Sequence, residues 1–245
     1  MRLVVTRPEP EASVAAEMLR KAGHEVVVAP MLTIASRRDV HLDVGGIDGL
    51  IATSANAIRA IADHVELPAL LAMPLHAVGA ATADAARRLG FRTVAEGGGT
   101  ASALAEQLGS SQTAGAHLLH LAGDVVAVDL ARLLSPRGIV VDTVIVYETI
   151  PSAELGSPLA TDLRRQAIDG ILLLSPRTAE IFGALVAKAG LAAEARRPTY
   201  FCISERTAAG LVGLAAPKLR IAKKPDMPSL LALIGQENAQ LPGPV

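Results

Sequence analysis

Aromatic residues are nearly absent from this chain, which has no Trp, two Tyr and three Phe, 2% of the sequence. That scarcity argues against a surface on which nucleobases stack. Cysteine occurs once, at Cys202. The chain therefore forms no internal disulfide and offers no multi-thiolate metal site, and it fits a reducing compartment. Net charge is missing as well: 23 Lys and Arg against 24 Asp and Glu leave −1. No bulk field draws DNA, RNA or an anionic bilayer, so any anionic ligand must be met locally. The apolar runs are too short to span a membrane. At the amino end the run Leu3-Val4-Val5 gives way to Thr6-Arg7-Pro8, too early for the apolar core of a signal peptide. These absences predict a cytoplasmic protein that engages neither nucleic acid nor membrane.

What is present is aliphatic. Hydrophobic residues make up 51% of 245 residues, so the core is expected from Ala, Val, Leu and Ile. The length suits one large domain or two small ones. Leu3-Val4-Val5, Glu25–Val28, Leu50-Ile51-Ala52 and Ile171–Leu174 read as strands buried on both faces, with Ala/Leu/Arg stretches of helical period between them. That alternation predicts parallel α/β sheets. Helix starts are expected at Pro8-Glu9 before Ala12–Arg20, Ser54 before Ala55–Ala62, Thr82 before Ala83–Leu89 and Thr100 before Ala101–Leu108. Gly23, Gly90 and Gly190 stand where helices close.

Three segments recur in the same order. Ile47–Ser54 resembles Ile168–Ser175, each with an Asp-Gly turn, a strand and a terminal Ser. Val78–Ala83 resembles Ile203–Ala208, and Leu3–Val27 resembles Leu118–Asp142. The ordered set predicts a duplicated α/β domain. Taken alone, it suggests tandem halves divided near residue 115, with Thr33–Gly46 and Val144–Pro151 as connections and Leu241–Val245 as a frayed tail.

The familiar catalytic signatures are missing: there is no Walker loop, no HExxH and no Gly-x-Ser-x-Gly elbow around Ser54 or Ser175. Gly97-Gly98-Gly99-Thr100 precedes a helix but does not read as a strand-to-helix dinucleotide loop. His117 and His120, three apart in an apparent strand, face opposite sides, so no metal site is expected. What remains are small polar residues at strand ends: Thr53, Ser54 and Asn56; Thr82; Ser175 and Thr178; Ser204 and Thr207. Helix N-termini there present unpaired N–H groups suited to carboxylates or phosphates, although plain capping accounts for each residue singly. Tyr147 falls in an apparent connecting segment, where a phenol can donate a proton to a leaving group or simply pack. Arg7, after the first strand, can pair with an anion or be solvated.

Val5-Thr6-Arg7-Pro8, Thr53-Ser54-Ala55-Asn56-Ala57, Val78–Ala83, Gly123, Val146–Thr149, Ser175-Pro176 and Ile203–Ala208 together resemble the uroporphyrinogen-III synthase family over nearly the whole chain. Ser204 stands where a Gly is common in that family. The resemblance implies an α/β fold of two doubly wound parallel-sheet domains joined by a two-stranded linker, compatible with internal duplication. Residues 1–31 and 152–245 would form the first domain, 38–143 the second, and 32–37 and 144–151 the linker strands, in place of a tandem division.

The family's substrate is hydroxymethylbilane, closed to uroporphyrinogen III with loss of water and inversion of ring D through a spiro intermediate. No cofactor or metal is implied, and the chain is expected to act as a monomer, with transient hand-over from the upstream hydroxymethylbilane synthase. By the same resemblance Tyr147 is the acid that assists the departing hydroxyl. Because an ordinary phenol has a pKa of about 10, orientation would carry much of the rate. Arg7, Thr53, Ser54, Asn56, Gly79, Thr82, Gly123, Ser175 and Thr207 would bind the substrate and its carboxylates. A tetrapyrrole-binding or regulatory module without activity, or a solute-binding protein, would share many of these features.

Overall fold

Short aliphatic runs, too distant in sequence to form hairpins, pair side by side into two largely parallel sheets with helices on both faces. This arrangement is seen in a computed structural model that describes residues 1–240; the expected tail Leu241–Val245 lies outside the described residues. In chain order the elements are β1 (Arg2–Val5), α1 (Glu11–Lys21), β2 (Glu25–Val28), β3 (Leu32–Ser36), β4 (Gly49–Ala52), α2 (Ala55–Ala60), α3 (Leu67–Leu71) and β5 (Leu75–Ala77). Next come α4 (Ala80–Leu89), β6 (Val94–Glu96), α5 (Ala101–Ser111), β7 (His117–Gly123), α6 (Leu130–Leu134) and β8 (Val140–Pro151). The chain continues through α7 (Ser157–Arg164), β9 (Gly170–Leu173), α8 (Pro176–Lys188), β10 (Thr199–Cys202), α9 (Glu205–Ala209), β11 (Lys218–Ile221) and α10 (Met227–Gln240). Two compact units result: Met1–Thr33 with the chain from Ile150 onward, and Ile34–Thr149. A cut near residue 115 would divide the second unit just before β7, so the tandem halves suggested by the repeats alone do not form.

In the first unit the sheet order is β11-β10-β9-β1-β2. Period-two alternation splits its side chains between two cores. Val4, Ile171, Leu173, Tyr200 and Cys202 pack with α7 and α8, while Leu3, Val5, Leu172 and Phe201 pack with α1 and α10. Strands β1 and β9, covered on both sides, carry apolar runs without polar alternation, whereas β11 at the sheet edge alternates. Each fully buried large aliphatic or aromatic side chain contributes about 1.5–3 kcal/mol. Phe182 and Tyr200 meet edge to face with centroids 5.9 Å apart, and the Tyr200 hydroxyl donates to the Ala195 carbonyl at 2.5 Å. Burial pushes the Cys202 thiol up to about 12, so this cysteine is an inert core residue.

The second unit has the order β3-β8-β7-β4-β5-β6. Leu50, Ala52, Leu119, Leu121 and Val146 face the core beneath α2 and α4, and Ile51, Leu118 and Val141 face the core beneath α5 and α6. The stretch β8-β7-β4-β5-β6 follows the same pattern as β2-β1-β9-β10-β11 in the first unit. The two Asp-Gly turns do matching work. Asp48 accepts from the His117 amide at 2.8 Å, and Asp169 accepts from the Arg2 amide at 2.6 Å. Each carboxylate pins the start of the neighbouring strand.

Three local expectations are corrected. Helix α4 begins at Ala80 with Gly79 as its cap, not at Thr82. Thr82 is buried in the first turn, where the Gly79 carbonyl accepts from the Thr82 and Ala83 amides. Helix α2 ends at Ala60 and not Ala62. The Gly97–Gly99 turn does follow a strand, β6, and runs into α5. A Cβ at Gly79 would lie 3.2 Å from the Gly99 Cα, so this glycine lets two backbones approach. Gly23, Gly90 and Gly190 have positive φ, as their places after helices require.

The Asp-Gly glycines differ in their surroundings, and this gives a stability test. A Cβ at Gly170 would lie 2.6 Å from the Phe201 ring and 2.8 Å from Leu3, whereas one at Gly49 would come no nearer than 3.3 Å to the Pro74 carbonyl and 3.4 Å to the Leu118 and Pro74 side chains. Gly170→Ala is expected to lower unfolding free energy by about 1–3 kcal/mol, and Gly49→Ala by less than about 1 kcal/mol, in urea titrations. Equal losses would contradict this packing assignment.

Candidate active site

Parallel strands send all their carboxyl ends to one edge, where the following helices begin. In the first unit Arg7 follows β1, half-buried, Ser175 caps α8 and Thr207 lies within α9. The Ser175 hydroxyl accepts from the Thr178 amide at 3.1 Å, and Ser204 accepts from the Thr207 amide at 3.2 Å. Thr207 is fully buried. In the second unit Ser54 caps α2 by accepting from the Asn56 amide at 3.1 Å, and the Asn56 carboxamide oxygen accepts from Arg59 at 2.6 Å. At these caps the hydroxyl is committed to the helix, and the remaining first-turn amides are the groups left for an anion.

Thr53, Ser54, Gly123 and Tyr147 come together in the lining of a cavity of about 290 Å³ in the second unit. Asn56, Gly79 and Thr82 stand at neighbouring strand ends outside that lining, while Arg7, Ser175 and Thr207 belong to the first unit. The expectation that Tyr147 falls in a connecting segment is corrected. It is a residue of β8, paired with Gly123 at the carboxyl end of β7, where the register shifts. Phe91, Phe182, Phe201 and Tyr200 are buried, so Tyr147, half-buried, is the aromatic ring that reaches a cavity. Its ring lies over Gly123: a Cβ there would come within 2.6 Å of Cε2 and 2.7 Å of the hydroxyl. Glycine at 123 is a steric requirement of the tyrosine's position.

Val78 and the Gly99-Thr100 end of the glycine turn also line it, and the rest of the wall comes from residues outside the sequence motifs. Val125 and Val126, both exposed, border the cavity. The turn carrying them is tied to β8, because the Asp124 amide donates to the Tyr147 carbonyl at 3.1 Å and the Asp124 carboxylate accepts from the Thr149 amide at 3.0 Å. His120 is 1% exposed, with Nε2 3.1 Å from the Thr53 hydroxyl and Nδ1 3.4 Å from that of Thr143. Burial lowers its pKa to about 4, so the imidazole is neutral at pH 7. His117 points the other way, with Nε2 2.7 Å from the Asp142 carboxylate. Among the described residues, the lining contains no Asp, Glu, Lys or Arg. The sequence signal for His120 is its period: it shares a strand face with Leu118 and Ala122, so a polar ring interrupts an apolar stripe.

His120 makes stability depend on pH in a definite direction. The unfolded chain takes up a proton near the ordinary value of 6.5, while the folded chain resists until about 4. Between these values the unfolded state holds more protons, so stability falls as pH drops from 6.5 toward 4, by up to about 3 kcal/mol. Denaturant titrations should show a flatter profile over this window for His120→Gln; an unchanged profile would mean that His120 titrates normally.

Comparisons with known proteins converge. A family model described as uroporphyrinogen-III synthase HemD matches residues 13–232. The uroporphyrinogen-III synthetase of Helicobacter pylori 26695 is similar in structure, with a TM-score of 0.66 at 20% identity over 97% of this chain and 100% of that one. A mutant uroporphyrinogen III synthase from the extremely thermophilic bacterium Thermus thermophilus gives 0.54 at 18% identity, covering 98% and 100%. At these identities the structures establish a shared α/β fold with parallel sheets. The family match, which takes in Tyr147, Gly123 and the strand-end caps of both units, carries the assignment: the chain belongs to the uroporphyrinogen-III synthase family.

Proposed function

We propose that this chain closes hydroxymethylbilane to uroporphyrinogen III in tetrapyrrole biosynthesis. The observation that carries the reading is the family match over residues 13–232, and Tyr147 held over Gly123 at a cavity supplies the chemistry. In this reading the phenol donates a proton to the departing hydroxyl of ring A. The C–O bond breaks with its electron pair going to oxygen, water leaves, and the pyrrole nitrogen stabilises the resulting azafulvene. The substituted carbon of ring D then attacks, the spiro intermediate fragments and recloses with that ring inverted, and the proton lost as the ring regains its pyrrole form returns to the phenolate. Positioning supplies most of the acceleration, since proton donation by a phenol is weak assistance unless the geometry is fixed.

The cavity volume of about 290 Å³ equals that of about ten water molecules, room for one substituted pyrrole and well short of four. Arg7, Asn56, Gly79, Thr82, Ser175 and Thr207 are read as substrate-binding residues of their respective units, because the strand-end amides beside them carry a partial positive charge that suits carboxylates. We further read residues 1–31 with 152–245 and residues 38–143 as two domains of duplicated origin, with 32–37 and 144–151 as linker strands. The matching strand orders and matching Asp-Gly contacts support that origin. A monomer acting in the cytoplasm, receiving its unstable substrate from hydroxymethylbilane synthase, completes the reading. No helix among the described residues is long and apolar enough to cross a membrane.

The test is to feed purified protein with freshly generated hydroxymethylbilane, oxidise the products and separate uroporphyrin isomers I and III by chromatography. Isomer III above the level without protein is expected; isomer I alone from folded protein would point to a binding or regulatory role. Tyr147→Phe should lower turnover by about 10²-fold or more, the scale of a positioned proton donor, with an unchanged thermal midpoint. Gly123→Ala should lower turnover comparably by displacing the ring, and wild-type turnover in either variant would remove Tyr147 from the mechanism.

A further inference from the structure

Strand β7 is apolar on the face that carries Leu118 and Ala122 except at His120, a fully buried ring that Leu could replace at lower desolvation cost. Both ring nitrogens face threonine hydroxyls: Thr143 in register on β8, with its oxygen 3.4 Å from Nδ1, and Thr53 just past β4, with its oxygen 3.1 Å from Nε2. A neutral imidazole has one N–H and one lone pair. The three groups therefore form a chain of one polarity. If Thr143 donates to Nδ1, then the Nε2–H donates to Thr53, and the Thr53 O–H is turned outward. Thr53 and Tyr147 line the same cavity.

We propose that His120 is a positioning residue, which fixes the Thr53 hydroxyl as a second hydrogen-bond donor, beside the Tyr147 phenol, to the hydroxyl that leaves the substrate. The inference rests on the functional reading above. Thr53 keeps its proton throughout and only donates a hydrogen bond, while the proton that completes the departing water comes from Tyr147. The pairing suits a lining without charged side chains among the described residues. A fixed dipole costs no reorganisation as charge develops on the oxygen, and it counts for more where water is excluded. The assignment also explains why a polar ring is kept in an otherwise apolar strand face: its role is to orient Thr53.

The experiment is a double-mutant cycle with hydroxymethylbilane as substrate, reading kcat and KM for formation of isomer III. Thr53→Val and His120→Leu should each lower kcat by about tenfold, the loss of one hydrogen bond in the transition state, with KM changed by less than about twofold. Thr53→Ser, which keeps the hydroxyl, should restore most of the rate. The double variant should be no slower than Thr53→Val alone, because both changes act through one hydroxyl. Should His120→Leu fail to fold, Thr143→Val removes the ring's other partner and should behave the same way. His120→Leu or Thr143→Val slowing the Thr53→Val background as much as the wild type would overturn the positioning role, as would full kcat in Thr53→Val. Wild-type protein that yields isomer I alone would overturn the functional reading itself, an outcome distinct from either of these.

Discussion

The candidate site depends on the parallel pairing of β7 with β4 on one side and β8 on the other. Ala52 pairs with Leu121 and Gly123 with Tyr147, and that register delivers Thr53, the Gly123 backbone and the Tyr147 ring to one sheet edge. The pairing is held by aliphatic burial on both faces and pinned at its start by the Asp48 carboxylate on the His117 amide. Slipping β7 by one residue would turn His120 from the cavity side to the opposite core and bring His117 inward. The geometry of the candidate site and the sheet register are therefore a single problem in this fold.

The scarcity of aromatic side chains takes on meaning in that setting. Phe182, Phe201 and Tyr200 fill the first unit's cores, Phe91 is buried in the second, and Tyr147 brings a phenol to a cavity. Its place is made by an absence, since no side chain other than hydrogen fits at Gly123. The polar groups that line the cavity are uncharged: threonine and serine hydroxyls, backbone amides and an imidazole kept neutral by burial. Such a lining suits a reaction in which water departs and a reactive cation must be kept from solvent capture. An acidic side chain there would instead stabilise the cation and compete for it.

Some of this is legible in the residues alone. The strands Leu3–Val5, Glu25–Val28, Leu50–Ala52 and Ile171–Leu174 are found within one residue of their expected bounds, because runs buried on both faces have no polar alternation to blur them. The caps at Ser54, Thr100, Ser175 and Ser204 are visible because a hydroxyl before an alanine-rich stretch has one common use. Thr82 misleads because the same residue type also packs inside a first turn, where the Gly79 carbonyl serves as acceptor. The strand ahead of Gly97 escapes notice because Val94-Ala95-Glu96 is too short to show a period. Tyr147 looks like part of a connection because Val144–Pro151 carries polar residues, yet it continues β8 and stays paired with Gly123 of β7.

The amino-acid sequence by itself determined the fold class, the strand-end polar groups and the family, since hydrophobic period, capping chemistry and ordered short motifs are local properties. Which strands pair was decided only in three dimensions: β1 pairs β2 on one side and on the other joins β9, 167 residues on from Arg2 to Asp169, rather than β4 of its own repeat. Local sequence is equally compatible with either partner. The tyrosine's seat on Gly123 and the orientation of Thr53 by His120 likewise arise from contacts between segments distant in sequence, whose spacing is set by the packed sheet.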